Sequence, residues 1–134
     1  MAQAFAEELS RQAGTRSATM KKIEAIIRPE KLDEVCQAIE AAGYPGITIT
    51  EAEGHGKQKG ITQQWRGETY KVSFLPKVKL ELVVGDADVE RLIQAIVKAA
   101  KTNTAGAVGD GKIFVSDVRE VVRIRTGERG EAAV

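Results

Sequence analysis

The chain has 134 residues, of which 43% are hydrophobic and 29% charged, and its net charge is +1. This length suits one compact domain, and the near-neutral charge excludes the basic surface of a nucleic-acid-binding protein. A single cysteine, Cys36, excludes an internal disulfide and is typical of a reducing compartment such as the cytoplasm.

Residues 1–19 differ in composition from the rest of the chain. They are rich in Ala, Ser, Arg and Gln and lack the apolar core of a secretion signal. A helix over residues 4–12 would be too short to be stable by itself. We therefore predict a mobile extension over residues 1–19 and one domain over residues 20–134, with a docking helix as the alternative for the extension.

An internal repeat dominates the domain. The segment KIEAII at 22–27 matches KLELVV at 79–84, and residues 32–39 match 89–96 at the same offset. Each copy reads as a strand followed by an amphipathic helix with one apolar stripe. The stripes are Leu32, Val35, Cys36 and Ile39 in the first copy, and Val89, Leu92, Ile93 and Ile96 in the second.

Each helix is followed by a further strand pattern, at residues 47–53 and 113–118, and Gly43 suits the end of the first helix. Two strand–helix–strand units predict an α+β fold of the ferredoxin-like type, βαββαβ, with an antiparallel sheet and both helices on one face. In strand 79–84 the apolar residues are too numerous for simple alternation. This excess favours burial of both sheet faces, and hence an oligomer.

Two connections have unusual composition. The segment at 54–73 is longer than most loops and contains four glycines, several cations, Trp65 and Tyr70, which favours a functional loop. The second connection ends in the glycine-rich segment 109–112 and is followed by Arg123 and Arg125. On a strand these two arginines would share a face, and glycine N–H groups, Lys112 and paired arginines together suit a polyphosphate.

A nucleotide-binding P-loop is excluded, although residues 106–112 match G-x-x-x-x-G-K. Ile113 occupies the position of the Ser or Thr that would bind magnesium, and a strand follows where a P-loop has a helix.

Five motifs in order carry a family resemblance: KQKG at 57–60, WRGETY at 65–70, FLPKVK at 74–79, GDGKIFV at 109–115 and RIRTGE at 123–128. Over residues 20–134 the chain resembles the PII nitrogen-regulatory signal proteins. The resemblance implies a cytoplasmic homotrimer that binds ATP or ADP in clefts between subunits and, with Mg-ATP, also 2-oxoglutarate. Segment 54–73 would be the T-loop, which regulates an ammonium transporter or enzymes and regulators of nitrogen metabolism, so that membranes are reached only through a partner.

The resemblance also implies roles for individual residues. The implied nucleotide site comprises Thr48 and Val83 at the adenine, Gly56 and Lys57 closing the cleft, Gly109, Asp110, Gly111 and Lys112 around the phosphates, and Arg123 and Arg125 from the neighbouring subunit. The implied 2-oxoglutarate site comprises Gln58, which also binds Mg²⁺, with Lys59, Gly60 and Lys77. Tyr70 matches the tyrosine that a nucleotidylyltransferase modifies, and Arg66 matches the arginine that enters ammonium channels.

The chain departs from the family pattern in its longer segment 102–109 and at His55 and Trp65. Two other functions stay open. The protein could be a slow ATPase that uses Lys77 and Mg²⁺ bound to Gln58, or an adenine-nucleotide adapter without a response to 2-oxoglutarate. A regulatory, non-catalytic role is favoured because no nucleophile–base pair is visible.

Overall fold

The structure, a computed structural model, describes residues 20–55, 62–65, 68–71 and 74–134, with backbone alone for 62–65 and 68–71. The predicted extension at 1–19 lies outside these residues. The main elements in chain order are β1 (Met20–Ile27), α1 (Leu32–Ala41), β2 (Thr48–Gly54), β3 (Thr62–Trp65), β4 (Glu68–Lys71), β5 (Leu75–Gly85), α2 (Val89–Ala100) and β6 (Gly111–Val118).

The predicted ferredoxin-like fold is confirmed. Four strands form one sheet in the order β2–β5–β1–β6, and every neighbouring pair is antiparallel. The first strands of the two sequence repeats, β1 and β5, lie side by side at its centre. As a result, Glu24 lies directly opposite its repeat counterpart Glu81.

The two helices cover one face of this sheet with the predicted apolar stripes. Val35, Ile39, Leu92 and Ile96 are buried, and they pack in one cluster with the buried side chains of β1 and β5. Burying each such aliphatic side chain stabilises the fold by about 1.5–3 kcal/mol. The packed face therefore accounts for the position of both helices.

The end of α1 also follows the sequence prediction. Gly43 has a φ of +98°, and its N–H donates to the carbonyl of Glu40 at 2.9 Å. The N–H of Tyr44 donates to the carbonyl of Ile39 at 3.2 Å. This is a Schellman-type termination, in which glycine adopts the left-handed conformation that other residues avoid.

Within one chain, β5 buries only the face toward the helices. Val78, Leu80, Leu82 and Val84 are buried on the helix side, whereas Val83 is only half-buried on the other side. The strand thus alternates normally. A single valine, Val83, made the apolar run look continuous in the sequence. Burial of the other face of β5 would need a second chain, so the oligomer stays a prediction.

The sheet face opposite the helices carries charged side chains on β1 and β5, beside the half-buried Ile26 and Val83. Lys22 contacts Glu24 at 2.9 Å and Glu81 at 3.4 Å, and Lys79 contacts Glu81 at 2.9 Å. The hydrogen bond from Lys79 lowers the pKa of Glu81, and the bonds to glutamate raise the pKa of Lys22 and Lys79. The lysines offset the repulsion between Glu24 and Glu81, which are cross-strand neighbours of like charge.

The long segment between β2 and β5 contains secondary structure that the sequence did not predict. β3 and β4 pair as an antiparallel two-stranded sheet, with Tyr70 opposite Gln63 and Glu68 opposite Trp65. Among the described residues, neither helix is long and apolar enough to cross a membrane.

Candidate functional site

The glycine-rich segment 109–112 lies where the chain enters β6. Sequence reasoning placed the start of this strand at 113, but β6 begins at Gly111, which pairs with Ile27. Gly111 has a φ of +115°, and a Cβ atom there would lie 1.7 Å from the carbonyl oxygen of Ile26. Only glycine permits this close approach of the two backbones.

The side chain of Asp110 organises the loop between α2 and β6. Its carboxylate accepts hydrogen bonds from the Thr102 N–H at 3.0 Å, the Thr102 hydroxyl, and the Ala107 N–H at 2.8 Å. A fourth bond comes from Nε of Arg28, which lies at the end of β1, also at 3.0 Å. The carboxylate is therefore saturated by donors from its own chain.

These donors determine the ionisation of Asp110. Burial acts to raise its pKa, but the hydrogen bonds from Thr102, then from Ala107 and Arg28, outweigh burial and hold the pKa well below the usual range. Asp110 is thus a carboxylate at any physiological pH. Its side chain is engaged within the loop, and its backbone N–H donates to the carbonyl of Ala107 at 3.2 Å, so a phosphate would have to compete for that N–H.

Two cations hold the carbonyl groups of the same loop. Nη2 of Arg28 donates to the carbonyl of Val108 at 2.8 Å, and Nζ of Lys77 donates to the carbonyl of Gly109 at 2.7 Å. Burial, followed by repulsion from Arg28, lowers the pKa of Lys77. Lys77, predicted to pair with a carboxylate, therefore lies beside the predicted phosphate loop.

A cavity of about 510 Å³ brings these residues together. Lys77 and residues 109–112 line it, together with the end of β2. Ile26, His55 and Phe114 add apolar and aromatic surface. We call Lys77 and residues 109–112 the first half-site. The chemistry of its walls suits an anionic ligand with an apolar or aromatic part.

Thr48 lies far from the first half-site. In the sheet Thr48 lies opposite Glu81 on β5. Glu81 lies opposite Glu24 on β1, and Glu24 lies opposite Phe114 on β6, so three strand spacings separate Thr48 from β6. With strands about 4.8 Å apart and residues about 3.3 Å apart along a strand, Thr48 is separated from Gly111 by roughly 17 Å.

Val83 lies still nearer the other end of the sheet. It is opposite Lys22, and Lys22 is opposite Ser116, close to the end of β6. We call Thr48 and Val83 the second half-site. The structure of one chain therefore separates the residues predicted for the adenine from those predicted for the phosphates.

Arg123 and Arg125 do not lie on a strand, so the prediction that they share a strand face is wrong. β6 ends at Val118, and residues 124–126 form a turn. The Gly127 N–H donates to the carbonyl of Arg123 at 2.7 Å, and the Arg123 N–H donates to the carbonyl of Glu128 at 2.9 Å. Gly127 has a φ of +72°, which lets the chain reverse direction here.

The side chain of Arg123 is bonded within this C-terminal segment. Its guanidinium donates to the carboxylate of Glu128 at 2.8 Å and to the carbonyl of Ala132 at 3.0 Å. A phosphate that binds Arg123 would therefore compete with Glu128.

Several predicted site residues lie outside the described residues: Gly56, Lys57, Gln58, Lys59, Gly60 and Arg66. For Tyr70 the structure gives the position of its backbone on β4. Within the described part of the chain, no three His, Cys, Asp or Glu side chains are grouped so that they could hold a metal ion.

The comparisons with known proteins decide the family. Residues 20–128 match the family model "Nitrogen regulatory protein P-II". The chain belongs to the PII family. Its curated PII relatives include the P-II protein of Mesorhizobium japonicum, which is 64% identical over 115 residues, or 86% of this chain and 100% of the relative. The P-II 2 protein of Methanothermobacter thermautotrophicus is 58% identical over 115 residues and is covered to 97%.

A solved PII structure agrees with this family. The crystal structure of Arabidopsis thaliana PII bound to citrate superimposes with a TM-score of 0.69 at 39% identity, covering 87% of this chain and 90% of that chain. Membership in a nitrogen-regulatory family supports a role in signal transduction.

Sequence reasoning missed four residues of this PII chain: Ile26, Arg28, Thr102 and Phe114. Arg28 is 82 residues from its partner Asp110, so no local pattern links the two. The only available signal was its place directly after a core strand and before Pro29.

Proposed function

We propose that this PII protein binds ATP or ADP, and with Mg-ATP also 2-oxoglutarate, in a cleft completed by a second copy of the chain. The observation that carries this proposal is the separation of the two half-sites. To contact both sets of side chains within one chain, a nucleotide would have to lie fully extended across the face of the sheet, since Thr48 lies roughly 17 Å from Gly111. It can contact both sets when the second half-site of one copy lies against the first half-site of another.

A homotrimer with three equivalent clefts is the assembly that we infer from the family. A head-to-tail contact of this kind joins unlike surfaces and closes into a ring when the rotation between copies permits. Arg123 and Arg125 would accompany the second half-site, since the chain leaves β6 at Val118, the end of the strand remote from Gly111.

The metabolite would be bound by Lys77. Its ammonium group lies in the same cavity as the phosphate loop, where a carboxylate could pair with it at close range. That the related Arabidopsis thaliana PII structure has citrate bound supports a carboxylate ligand in this family. A carboxylate bound there would also counter the burial and the repulsion that lower the pKa of Lys77.

Magnesium is expected to arrive with the nucleotide. Mg²⁺ usually keeps several waters and takes one or two protein ligands besides phosphate oxygens. A magnesium ion bound in this way needs no group of acidic side chains. We therefore propose Gln58 as its protein ligand. Mg²⁺ would also reduce the repulsion between a triphosphate and a dicarboxylate, which makes 2-oxoglutarate binding conditional on Mg-ATP.

The output would be regulation, not catalysis. Residues 54–73 would act as the T-loop of a cytoplasmic protein, with Lys59 and Gly60 at the metabolite and Gly56 and Lys57 at the nucleotide. Arg66 would contact an ammonium transporter or a nitrogen-metabolism target, and Tyr70 would be open to a nucleotidylyltransferase.

Calorimetry with both orders of addition tests the proposal. We expect ATP to bind alone and 2-oxoglutarate to bind only after Mg-ATP. The variant Lys77→Gln should lose the second event and weaken the first, because Lys77 also holds the carbonyl of Gly109. Binding of ATP with no response to 2-oxoglutarate would favour the adapter function, and steady hydrolysis faster than about one turnover per minute would favour the ATPase.

A further inference from the structure

We propose that Arg28 and Asp110 are positioning residues that hold the loop at 102–110 in its phosphate-binding shape. The inference rests on the proposed nucleotide function and goes beyond it. It assigns roles to a residue outside the predicted site, Arg28, and to a side chain that does not itself contact phosphate, that of Asp110.

Asp110 closes the loop on itself. Thr102, the second residue after α2, and Ala107, in the middle of the loop, both donate to one carboxylate that lies directly before β6. The loop is long for a connection between a helix and a strand, so its backbone has many conformations to lose. Donors that converge on a single carboxylate select one of these conformations.

Arg28 connects this closed loop to the sheet. It follows β1 directly and its side chain is 18% exposed, so the guanidinium has little freedom to move. Nε binds Asp110 while Nη2 binds the carbonyl of Val108. Lysine cannot replace these two contacts, because its single nitrogen lacks the planar fork of donors.

The contact of Arg28 with the Val108 carbonyl orients a backbone N–H group that an anion could bind. A trans peptide is planar, so the carbonyl of Val108, which is directed at Arg28, sends the N–H of Gly109 to the opposite side. A phosphate requires N–H groups toward it and carbonyl oxygens away from it. Arg28 therefore sets the orientation of a peptide within the glycine-rich segment.

Charge balance leads to the same assignment. A carboxylate next to a polyphosphate would repel it, and Asp110 belongs to the segment that we expect to surround the phosphates. The ion pair with Arg28, at 3.0 Å, neutralises that carboxylate. Loss of Arg28 would both loosen the loop and expose an unpaired negative charge.

The test compares matched variants of the full chain. Arg28→Lys keeps the charge but not the fork, and Arg91→Lys is its control. Arg91 makes the same kind of paired contact elsewhere, to Asp88 at 2.9 Å and to the carbonyl of Ala42 at 2.6 Å. Thr102→Val removes the hydroxyl donor to Asp110 without a change in shape, and Thr102→Ser restores it.

The readout separates positioning from general stability. We expect Arg28→Lys and Thr102→Val to weaken ATP and ADP about tenfold, as the loss of a hydrogen bond to a charged group implies, and to leave adenosine binding unchanged. Thr102→Ser and Arg91→Lys should bind ATP like the wild type. In the ligand-free protein the amide of Ala107 should exchange faster in the two affected variants.

Four outcomes would overturn the inference. Equal losses of ATP and adenosine affinity would mean that the variants damage the whole site. An equal loss of ATP affinity in Arg91→Lys would mean that replacing any paired arginine by lysine weakens ATP binding. Unchanged ATP binding in Arg28→Lys and Thr102→Val would also refute it, with the proposed function intact. A wild-type protein that bound no nucleotide would refute the proposed function and this inference together.

Discussion

Replacing Gly111 by alanine should be much more damaging than replacing another glycine of positive φ. The added Cβ would lie 1.7 Å from the carbonyl oxygen of Ile26 and 2.8 Å from its carbon. Ordinary C···O contacts are about 3.3 Å or longer, so the backbone of β1 or of β6 must retreat by roughly 1.5 Å. Both strands are in the sheet, so the retreat separates the pair that Ile27 forms with Gly111.

The expected loss can be built from its parts. Adopting a φ of +115° costs a residue with a Cβ about 1–2 kcal/mol. Loss of one or two ladder hydrogen bonds adds about 0.5–1.5 kcal/mol each. Gly111→Ala should therefore lower the free energy of unfolding by about 3 kcal/mol and weaken ATP binding, because residues 109–112 move with the strand.

Gly43→Ala is the matched control. Gly43 has a φ of +98°, and nothing lies within 4 Å of a Cβ built on it. It should lose only the conformational term, about 1–2 kcal/mol, and bind ATP normally. Urea unfolding measures both variants. Equal losses of unfolding free energy in Gly111→Ala and Gly43→Ala would show that the overlap with Ile26 is relieved without loss of stability. The reasoning from the close approach of the two backbones would then be wrong.

Two further predictions concern pH and a contact between the repeats. The folded-state pKa of Asp110 lies below the ordinary value of 3.8. The contribution of Asp110 to the free energy of unfolding is therefore complete above pH 3.8 and is lost as the pH falls below it. Urea unfolding from about pH 7 to about pH 2.5 should therefore show an acid loss of stability that Asp110→Asn lacks, and parallel curves would contradict this. Tyr44→Phe should lower the free energy of unfolding by about 1–2 kcal/mol without a change in ATP binding. The reason is that the Tyr44 hydroxyl donates to Asp88 and accepts from the N–H of Gly85. An unchanged urea midpoint would contradict this prediction.

Local sequence patterns were sufficient for the fold. The repeat and the two helical stripes predicted the two helices and the four strands of the main sheet, because the burial of Val35, Ile39, Leu92 and Ile96 follows from periodicity. Gly43 was likewise predictable from its position after a helix.

The site was less predictable because its contacts are distant in sequence or depend on turns. The pair of Arg28 with Asp110 spans 82 residues. Arg123 and Arg125 alternate like strand residues, but Gly127 bends the chain between them and Glu128. Alternating residues share a face only where the segment pairs with a neighbouring strand. β6 ends at Val118, so Arg123 and Arg125 lie beyond the paired part of the chain.

The separation of the two half-sites leads to a final prediction, which concerns mixed assemblies. Lys112→Ala damages only the first half-site of a chain, and the double variant Arg123→Ala with Arg125→Ala damages only what accompanies the second. Each variant alone should bind ATP weakly, because every cleft of its assembly lacks one set of cations.

When the two variants are unfolded together and refolded, some clefts combine an intact first half-site with an intact second half-site from the other chain. Random mixing gives about a quarter of such clefts. Calorimetry should then show a matching fraction of sites with wild-type affinity, which disappears if the variants are refolded apart. If the nucleotide site lay within one chain, mixing could restore none, since each chain would carry its own defect into every site that it forms.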